Sequence, residues 1–305
     1  MKAFVTGVAG QLGHDVVNEL IKRGFEAVGT DLAPEYAGVQ DGSAVCTAPY
    51  VSMDITDAAA VEKTIKEAGV DAVIHCAAWT AVDKAEECEE LVRKINAGGT
   101  ENIAKVCKEL DIPMMYFSTD YVFDGQGTRP WEPDDKYNPL GAYGRTKAEG
   151  EVAVKENLEK FFILRIAWVF GVNGKNFIRT MLNLAKTHDT LRVVNDQIGT
   201  PTYTYDLARL VVDMILTDKY GIYHVTNEGD YISWYDFACA IMKEGGADHV
   251  TVNPCTSEEY GAQAVRPYNS RMNRSKLVEN GFEPLPSWQD ALKRYVAILK
   301  ERGEV

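Results

Sequence analysis

The chain has 305 residues, 46% of them hydrophobic and 25% charged, which excludes a disulfide miniprotein, a lone zinc finger or a disordered segment. Its 32 Lys and Arg against 45 Asp and Glu leave a formal net charge of −13. That balance argues against a protein that tracks nucleic-acid phosphates or docks on an anionic membrane; any anionic ligand must be met by local dipoles and a few placed cations.

In chain order, residues 2–6 form a short apolar run expected to be a strand, and residues 11–23 carry apolar side chains at helical spacing, stopped by Gly24. A second strand follows at 27–30, then a Pro- and Gly-rich stretch at 33–49 that reads as a flap or a surface loop. Strands at 50–53, 72–76 and 114–118 alternate with helices at 58–68 and 86–110. Strands separated by helices need crossovers, and so predict a doubly wound α/β domain with a parallel sheet buried on both faces. Residues 124–140 read as a loop, 142–157 as helix and 161–168 as strand. Beyond them the alternation weakens: helices at 176–186, 204–216, 233–243 and 287–301, with strands near Leu191 and at 223–225, suggest a smaller mixed α/β lobe. The expected division is 1–167 as a Rossmann-type dinucleotide-binding domain, rejoined by part of 203–226, and 168–305 as a substrate-binding lobe.

No apolar run approaches the roughly 18 residues of a membrane span, and the start MKAFVTG lacks a signal-peptide pattern, so a cytoplasmic protein is the expectation. The six cysteines never form CxxC and read as free thiols. The histidines show neither HExxH nor paired spacing, so no metal site is expected.

The first chemical signal is Gly7-Val-Ala-Gly10-Gln11-Leu12-Gly13, placed between a strand and a helix. In such a turn the first glycine allows the tight bend and the second lets backbone approach a pyrophosphate. The third lets helix and strand pack closely, with phosphate at the helix N-terminus. Asp31 ends the second strand, about 20 residues on, where a carboxylate can accept hydrogen bonds from an adenosine ribose. No Lys or Arg follows it until Lys63, so no clamp for a 2′-phosphate is visible. Use of NADH at least as readily as NADPH follows as the expectation.

The second signal is Tyr143-Gly-Arg-Thr-Lys147, which puts a phenol and an ammonium four residues apart on one helix face. A cation beside a phenol is expected to lower its pKa toward the working range of an acid–base catalyst. A hydroxyl is available at the end of the preceding strand in Ser118-Thr119-Asp120-Tyr121.

Together TGVAGQLG, HCAAWTAVDKAE, STDYVFDG, YGRTK, RIAWVFG, NDQIGTPT and RPYNS resemble the extended short-chain dehydrogenase/reductases. Within that superfamily they resemble the branch that reduces a dTDP-linked 4-keto-6-deoxyhexose, from residue 1 to about 295. The resemblance implies an NAD(P)H-dependent oxidoreductase that reduces the C4 ketone on the way to dTDP-L-rhamnose. It implies Tyr143 as proton donor, Lys147 as the ribose-binding cation and Thr119 as the residue that orients the carbonyl. Cofactor contacts would come from Gly7, Gly10, Gln11, Leu12, Asp31, Asp54, Ile55, Cys76, Ala77, Ala78, Thr80 and Asn96. Substrate contacts would come from Val82, Asp120, Tyr121, Trp168, Asn176 and Arg266, with Lys175 and Asp83 beside them. Some relatives form metal-bridged dimers through acidic side chains; Asp15 is present here, but Tyr205 stands where a second carboxylate would align. No required Mg²⁺ and a monomer or weak homodimer are therefore expected. An epimerase on the same scaffold stays open, as does a non-catalytic NADP-binding regulatory subunit like that of methionine adenosyltransferase. A 4,6-dehydratase is disfavoured, because Tyr121 replaces the glutamate of its Asp-Glu pair.

Overall fold

A computed structural model describes all of residues 1–305. Seven strands form one sheet: β1 (Lys2–Thr6), β2 (Glu26–Asp31), β3 (Tyr50–Ser52), β4 (Ala72–His75), β5 (Met114–Thr119), β6 (Phe161–Ile166) and β7 (Gly221–His224). Their order is β7-β6-β5-β4-β1-β2-β3 and every pairing is parallel. The order reverses between β1 and β4, and their C-terminal ends open the crevice where ligands of such sheets bind.

Alternation along each strand sorts the core. Ala3 and Val5 of β1 face one side with Val16, Val17 and Leu20 of α1 (Gln11–Lys22). Phe4 faces the other, with Val61 and Ile65 of α2 (Ala58–Ala68) and Ile103 and Cys107 of α3 (Thr100–Leu110). Burial on both faces is why these strands are apolar almost throughout. The sheet's α4 (Ala142–Asn157) carries the YxxxK pair. A separate cluster of 20 buried residues lies beyond β6. It is built on α5 (Phe177–Ala185), α7 (Trp234–Gly245) and α8 (Trp288–Glu301), with α6 (Thr204–Ile215) packed against α1 and the sheet.

Two sequence expectations change. The helix expected over 86–110 is not continuous: a short helix Glu89–Arg93 runs into a wide π-helical turn, Lys94–Gly99, before α3. A Cβ on Gly99 would stand 2.7 Å from the Ile55 side chain, so the widened turn rests directly on the segment after β3. Residues 33–49 are neither a flap nor a simple surface loop. Val45 is in the core, its N–H donates to Asn18 Oδ1 (2.8 Å), and the Val39 N–H donates to Asn173 Oδ1 (3.1 Å).

Candidate active site

The crevice is a cleft of about 1120 Å³. At one end, Gly7 has φ +70°, and a Cβ there would meet the Ala77 backbone at 2.7 Å. A Cβ on Gly13 would lie 2.4 Å from the Gly7 carbonyl oxygen. The two positions thus show why this turn tolerates only glycine: strand end, helix and the β4 loop meet with no room for a side chain. Helix α1 begins at Gly10 with no side-chain cap, which leaves its first N–H groups directed at the cleft. Asp31 accepts from the Ala9 N–H at 3.1 Å and from the Leu32 N–H at 2.9 Å, tying the carboxylate to the glycine turn. Asn173, from beyond β6, donates to the carbonyls of Ala9 (3.0 Å) and Gly10 (3.2 Å) and fixes the turn from outside.

Gln11, Leu12, Asp54, Ile55, Cys76, Ala77, Ala78 and Thr80 line the same cleft, as do Val82 and Lys175. Thr30 Oγ1 and Ser118 Oγ also border it, buried and without a hydrogen-bond partner in the protein. Bare backbone, an uncapped helix start, an acidic strand end and orphaned hydroxyls fit a dinucleotide.

At the centre stand Thr119, Asp120, Tyr121, Tyr143 and Lys147, all on the cleft wall. Tyr143 is packed edge-on against Tyr121, with ring centroids 5.4 Å apart. Burial pushes its phenol up and the Asp120 carboxylate adds to that, while the nearby Thr119 hydroxyl works the other way. Lys147 is not among the groups acting on it, contrary to the sequence expectation of a lowered phenol. The Lys147 ammonium lies 4.0 Å from the centre of the Tyr116 ring, and burial pulls it down to about 7 against the pull of Glu151. Glu151 is already engaged by Arg165 (2.9 and 2.8 Å) and by the Tyr137 hydroxyl (2.7 Å). Asp120 accepts from the Thr119 hydroxyl at 3.0 Å and from the Ser270 hydroxyl, and burial raises it to about 6.

At the far end, Trp168 adopts φ +51°, a left-handed backbone rare for a bulky residue, and stacks on Trp234 at 3.8 Å and 16°. Both rings line the cleft.

Three expected site residues are not on the cleft wall. Asn96, in the π-helical turn, is buried: it accepts from the Trp79 N–H (2.8 Å) and donates to the Trp79 carbonyl and Thr146 hydroxyl (3.2 Å each). It therefore ties the cofactor-side loop to α4. Asn176 caps α5 through the Arg179 N–H (3.1 Å), and its amide donates to Gln11 (3.0 Å), Gly171 (3.0 Å) and Tyr295 (2.8 Å). With those groups spent, it joins the two parts of the chain and has no donor left for a diphosphate. Arg266 pairs with Asp83 at 2.7 Å beside the cleft. Asp15, buried in α1, accepts from the Thr204 hydroxyl at 2.5 Å, and Tyr205 is exposed. No group of three or more His, Cys, Asp or Glu is placed to share a cation. Sequence reading missed Trp234, Asn173 and Ser270; only Ser270 sat in a quoted motif, RPYNS.

The RmlD substrate binding domain family matches residues 1–301. The chain belongs to the RmlD family. A dTDP-4-dehydrorhamnose reductase of Streptomyces griseus is 38% identical over 295 residues, 95% of this chain and 91% of that protein. Among solved structures, a dTDP-4-dehydrorhamnose reductase of Clostridium acetobutylicum superposes with a TM-score of 0.89 at 42% identity, covering 98% of this chain and 100% of the other. The Bacillus anthracis dTDP-4-dehydrorhamnose reductase, solved in complex with NADP, gives 0.88 at 36% identity, over 97% and 99% of the chains. Membership of the RmlD family accounts for the fold and for the placement of the glycine turn and the YxxxK helix at one crevice.

Proposed function

We propose that this chain reduces the C4 ketone of dTDP-4-dehydro-L-rhamnose to dTDP-L-rhamnose at the expense of NADH or NADPH. The observation that carries the reading is the convergence of Thr119, Tyr143 and Lys147 on one cleft with the glycine turn and Asp31. Gly7, Gly10, Gln11 and Leu12 would hold the pyrophosphate, Asp31 the adenosine ribose, and Asp54 and Ile55 the adenine side. When bound, the reduced nicotinamide supplies the hydrogen and electron pair that reach the carbonyl carbon.

The protein's part is to deal with the charge that develops on the carbonyl oxygen. A phenol held fully protonated by burial is suited to this direction of reaction, because it must arrive carrying a proton and give it to an oxygen more basic than itself. Lys147, poorly solvated and without a carboxylate partner, supplies positive potential and donors on the cofactor side. Thr119 orients the oxygen, Trp168 backs the sugar ring, and Val82, Asp120 and Tyr121 complete its pocket. Arg266 is the cation we assign to the diphosphate.

Asp31 accepts one backbone N–H at each oxygen, which fixes the carboxylate at the strand end and leaves a lone pair on each oxygen for the ribose hydroxyls, where a 2′-phosphate would be disfavoured. We therefore expect NADH to serve at least as well as NADPH, and a large advantage for NADPH in steady-state kinetics would remove Asp31 from this role. No helix is long and apolar enough to cross a membrane, and all six cysteines are free; we place the reaction in the cytoplasm, carried out by a monomer or weak homodimer. The test is to mix the protein with the dTDP-4-keto-6-deoxyhexose and follow the absorbance of the reduced nicotinamide. One equivalent consumed per ketose, with dTDP-L-rhamnose as product, is expected; turnover without net consumption would point to an epimerase instead.

A further inference from the structure

Beneath α4, one row of side chains crosses three strands. Thr6 of β1 is in register with His75 of β4, and His75 with Tyr116 of β5, so the three share one face of the sheet. Thr6 Oγ1 lies 2.7 Å from His75 Nδ1 and accepts from the Ala77 N–H at 3.1 Å. On the other side of the ring, His75 Nε2 lies 3.1 Å from Thr100 Oγ1, whose hydroxyl donates to the Asn96 main-chain carbonyl at 2.6 Å. A hydroxyl has one proton to give. Thr100 spends its proton on that carbonyl and so accepts from His75 Nε2–H, which leaves Nδ1 bare to accept from Thr6. His75 is thereby fixed as a neutral imidazole, and burial together with the Lys147 charge holds it down to about 3.

The Tyr116 ring runs beside this imidazole, with centroids 5.8 Å apart and planes 26° from parallel. It is pressed under α4 where that helix is bare: a Cβ on Gly150 would stand 2.9 Å from the ring carbon that bears the hydroxyl. The Tyr116 O–H donates to the Lys147 carbonyl at 3.3 Å, and the ring centroid lies 4.0 Å from Lys147 Nζ. One residue therefore holds Lys147 at both its main chain and its ammonium.

No other group in the wall does this. Glu151, one turn along α4, spends its oxygens on Arg165 and Tyr137. From β4 and its loop come His75 and the Cys76 thiol, both neutral because burial opposes their charged forms. A π face stabilises a cation without accepting a strong hydrogen bond, so the three ammonium protons stay available to a ligand. A carboxylate in its place would keep the charge too, but would consume donors and cancel the positive potential.

Resting on the reductase reading, we propose that Tyr116 is the positioning residue of Lys147: its ring face keeps the ammonium charged at the cleft wall, with its donors free for the nicotinamide ribose. The row through His75, Thr6 and Thr100 keeps the neighbouring group neutral, so the wall carries one cation at this point rather than two that repel.

The test weakens the π face without changing the ring's shape. Tyr116→Phe keeps the face and loses only the O–H, whereas Tyr116→pentafluorophenylalanine keeps the six-membered ring and inverts its quadrupole. In protein without cofactor or substrate, carbon-13 NMR of lysines labelled at Cε should show one resonance that titrates near neutral pH and is lost in Lys147→Met. Its midpoint should stay close to the parent's in Tyr116→Phe and fall by roughly one unit or more with the fluorinated ring. At pH 7 such a fall leaves roughly a tenth of Lys147 charged, against about half in the parent. Oxidation of the reduced nicotinamide should then be roughly fivefold slower than in Tyr116→Phe, and the deficit should close as the pH is lowered to 5. A midpoint that the fluorinated ring leaves where Tyr116→Phe has it would overturn the proposal. So would a deficit that persists at pH 5, which is what a packing role alone would give. If the parent oxidises no reduced nicotinamide with the dTDP-sugar, the reductase reading has failed instead, and the titration still decides what Tyr116 does to Lys147.

Discussion

The two ends of the cleft are built differently. The end we assign to the cofactor is made of residues 7–13, 30–32 and 76–80 at the tips of β1, β2 and β4, and its shape depends on what glycine leaves out. The end we assign to the sugar is made of side chains brought from residues 82, 119–121, 168 and 234, with Ser270 and Arg266 behind them. The first kind of site writes itself into sequence as spacing. The second depends on how distant segments fold back, and leaves no local pattern.

If the centre between these ends performs the proton transfer, Tyr143→Phe should have the largest effect on turnover. We expect kcat to fall roughly a thousandfold while the cofactor dissociation constant stays near that of the parent, because only the phenolic hydroxyl, the proton donor, is removed. Retention of most activity would dissolve the distinction between a central acid and two binding ends. The next effect belongs to the backbone end. Gly13→Ala forces a methyl to 2.4 Å from the Gly7 carbonyl oxygen, an overlap worth about 1–3 kcal/mol of strain. The turn must open to relieve it, so cofactor binding should weaken roughly tenfold or more by fluorescence titration, with a lower melting temperature.

The same contrast explains what could be read from the sequence. The parallel sheet was legible because β1, β4, β5 and β6 are continuous apolar runs punctuated by amphipathic helices. The glycine turn and YxxxK were legible because each is local. Asn96 and Asn176 were misjudged for one physical reason: an amide placed near a site by sequence says nothing of whether its donors are already taken. The break in the 86–110 helix was invisible because it answers to Ile55, a residue from another element. Trp234 lies in a helix whose apolar pattern also serves the core, so its cleft-facing ring has no signature of its own.

Lys147 tests whether function is held against stability at the centre. Burial pulls its ammonium from 10.5 to about 7, so the charged form is disfavoured in the folded protein. Between those values the unfolded chain holds a proton that the native one has lost, and stability from this group rises with pH. Lys147→Met should therefore be inactive yet melt higher than the parent at pH 6, and its advantage should shrink as pH is raised from 7 toward 10. A melting temperature below the parent's at pH 6 would mean that the lysine stem and its contact with the Tyr116 ring outweigh the desolvation of the charge.

The smallest effect is expected at the rim. Asp83 accepts from Arg266 at 2.7 Å and from the Ala264 N–H at 3.0 Å, but the pair is part-exposed, at 45% and 26%. Solvent screening limits such an ion pair to about 1 kcal/mol or less. If Arg266 serves the diphosphate, Asp83 competes for it. Asp83→Asn should then lower KM for the dTDP-sugar by roughly two- to fivefold, leave kcat in place, and show its gain most clearly at low salt. A rise in KM with a more proteolysis-prone 257–268 segment would give the opposite meaning to the same contact. Asp83 and Arg266 would then be a clasp joining the two sides of the cleft, and substrate recognition at that end would fall to Val82, Asp120, Tyr121 and the tryptophan pair.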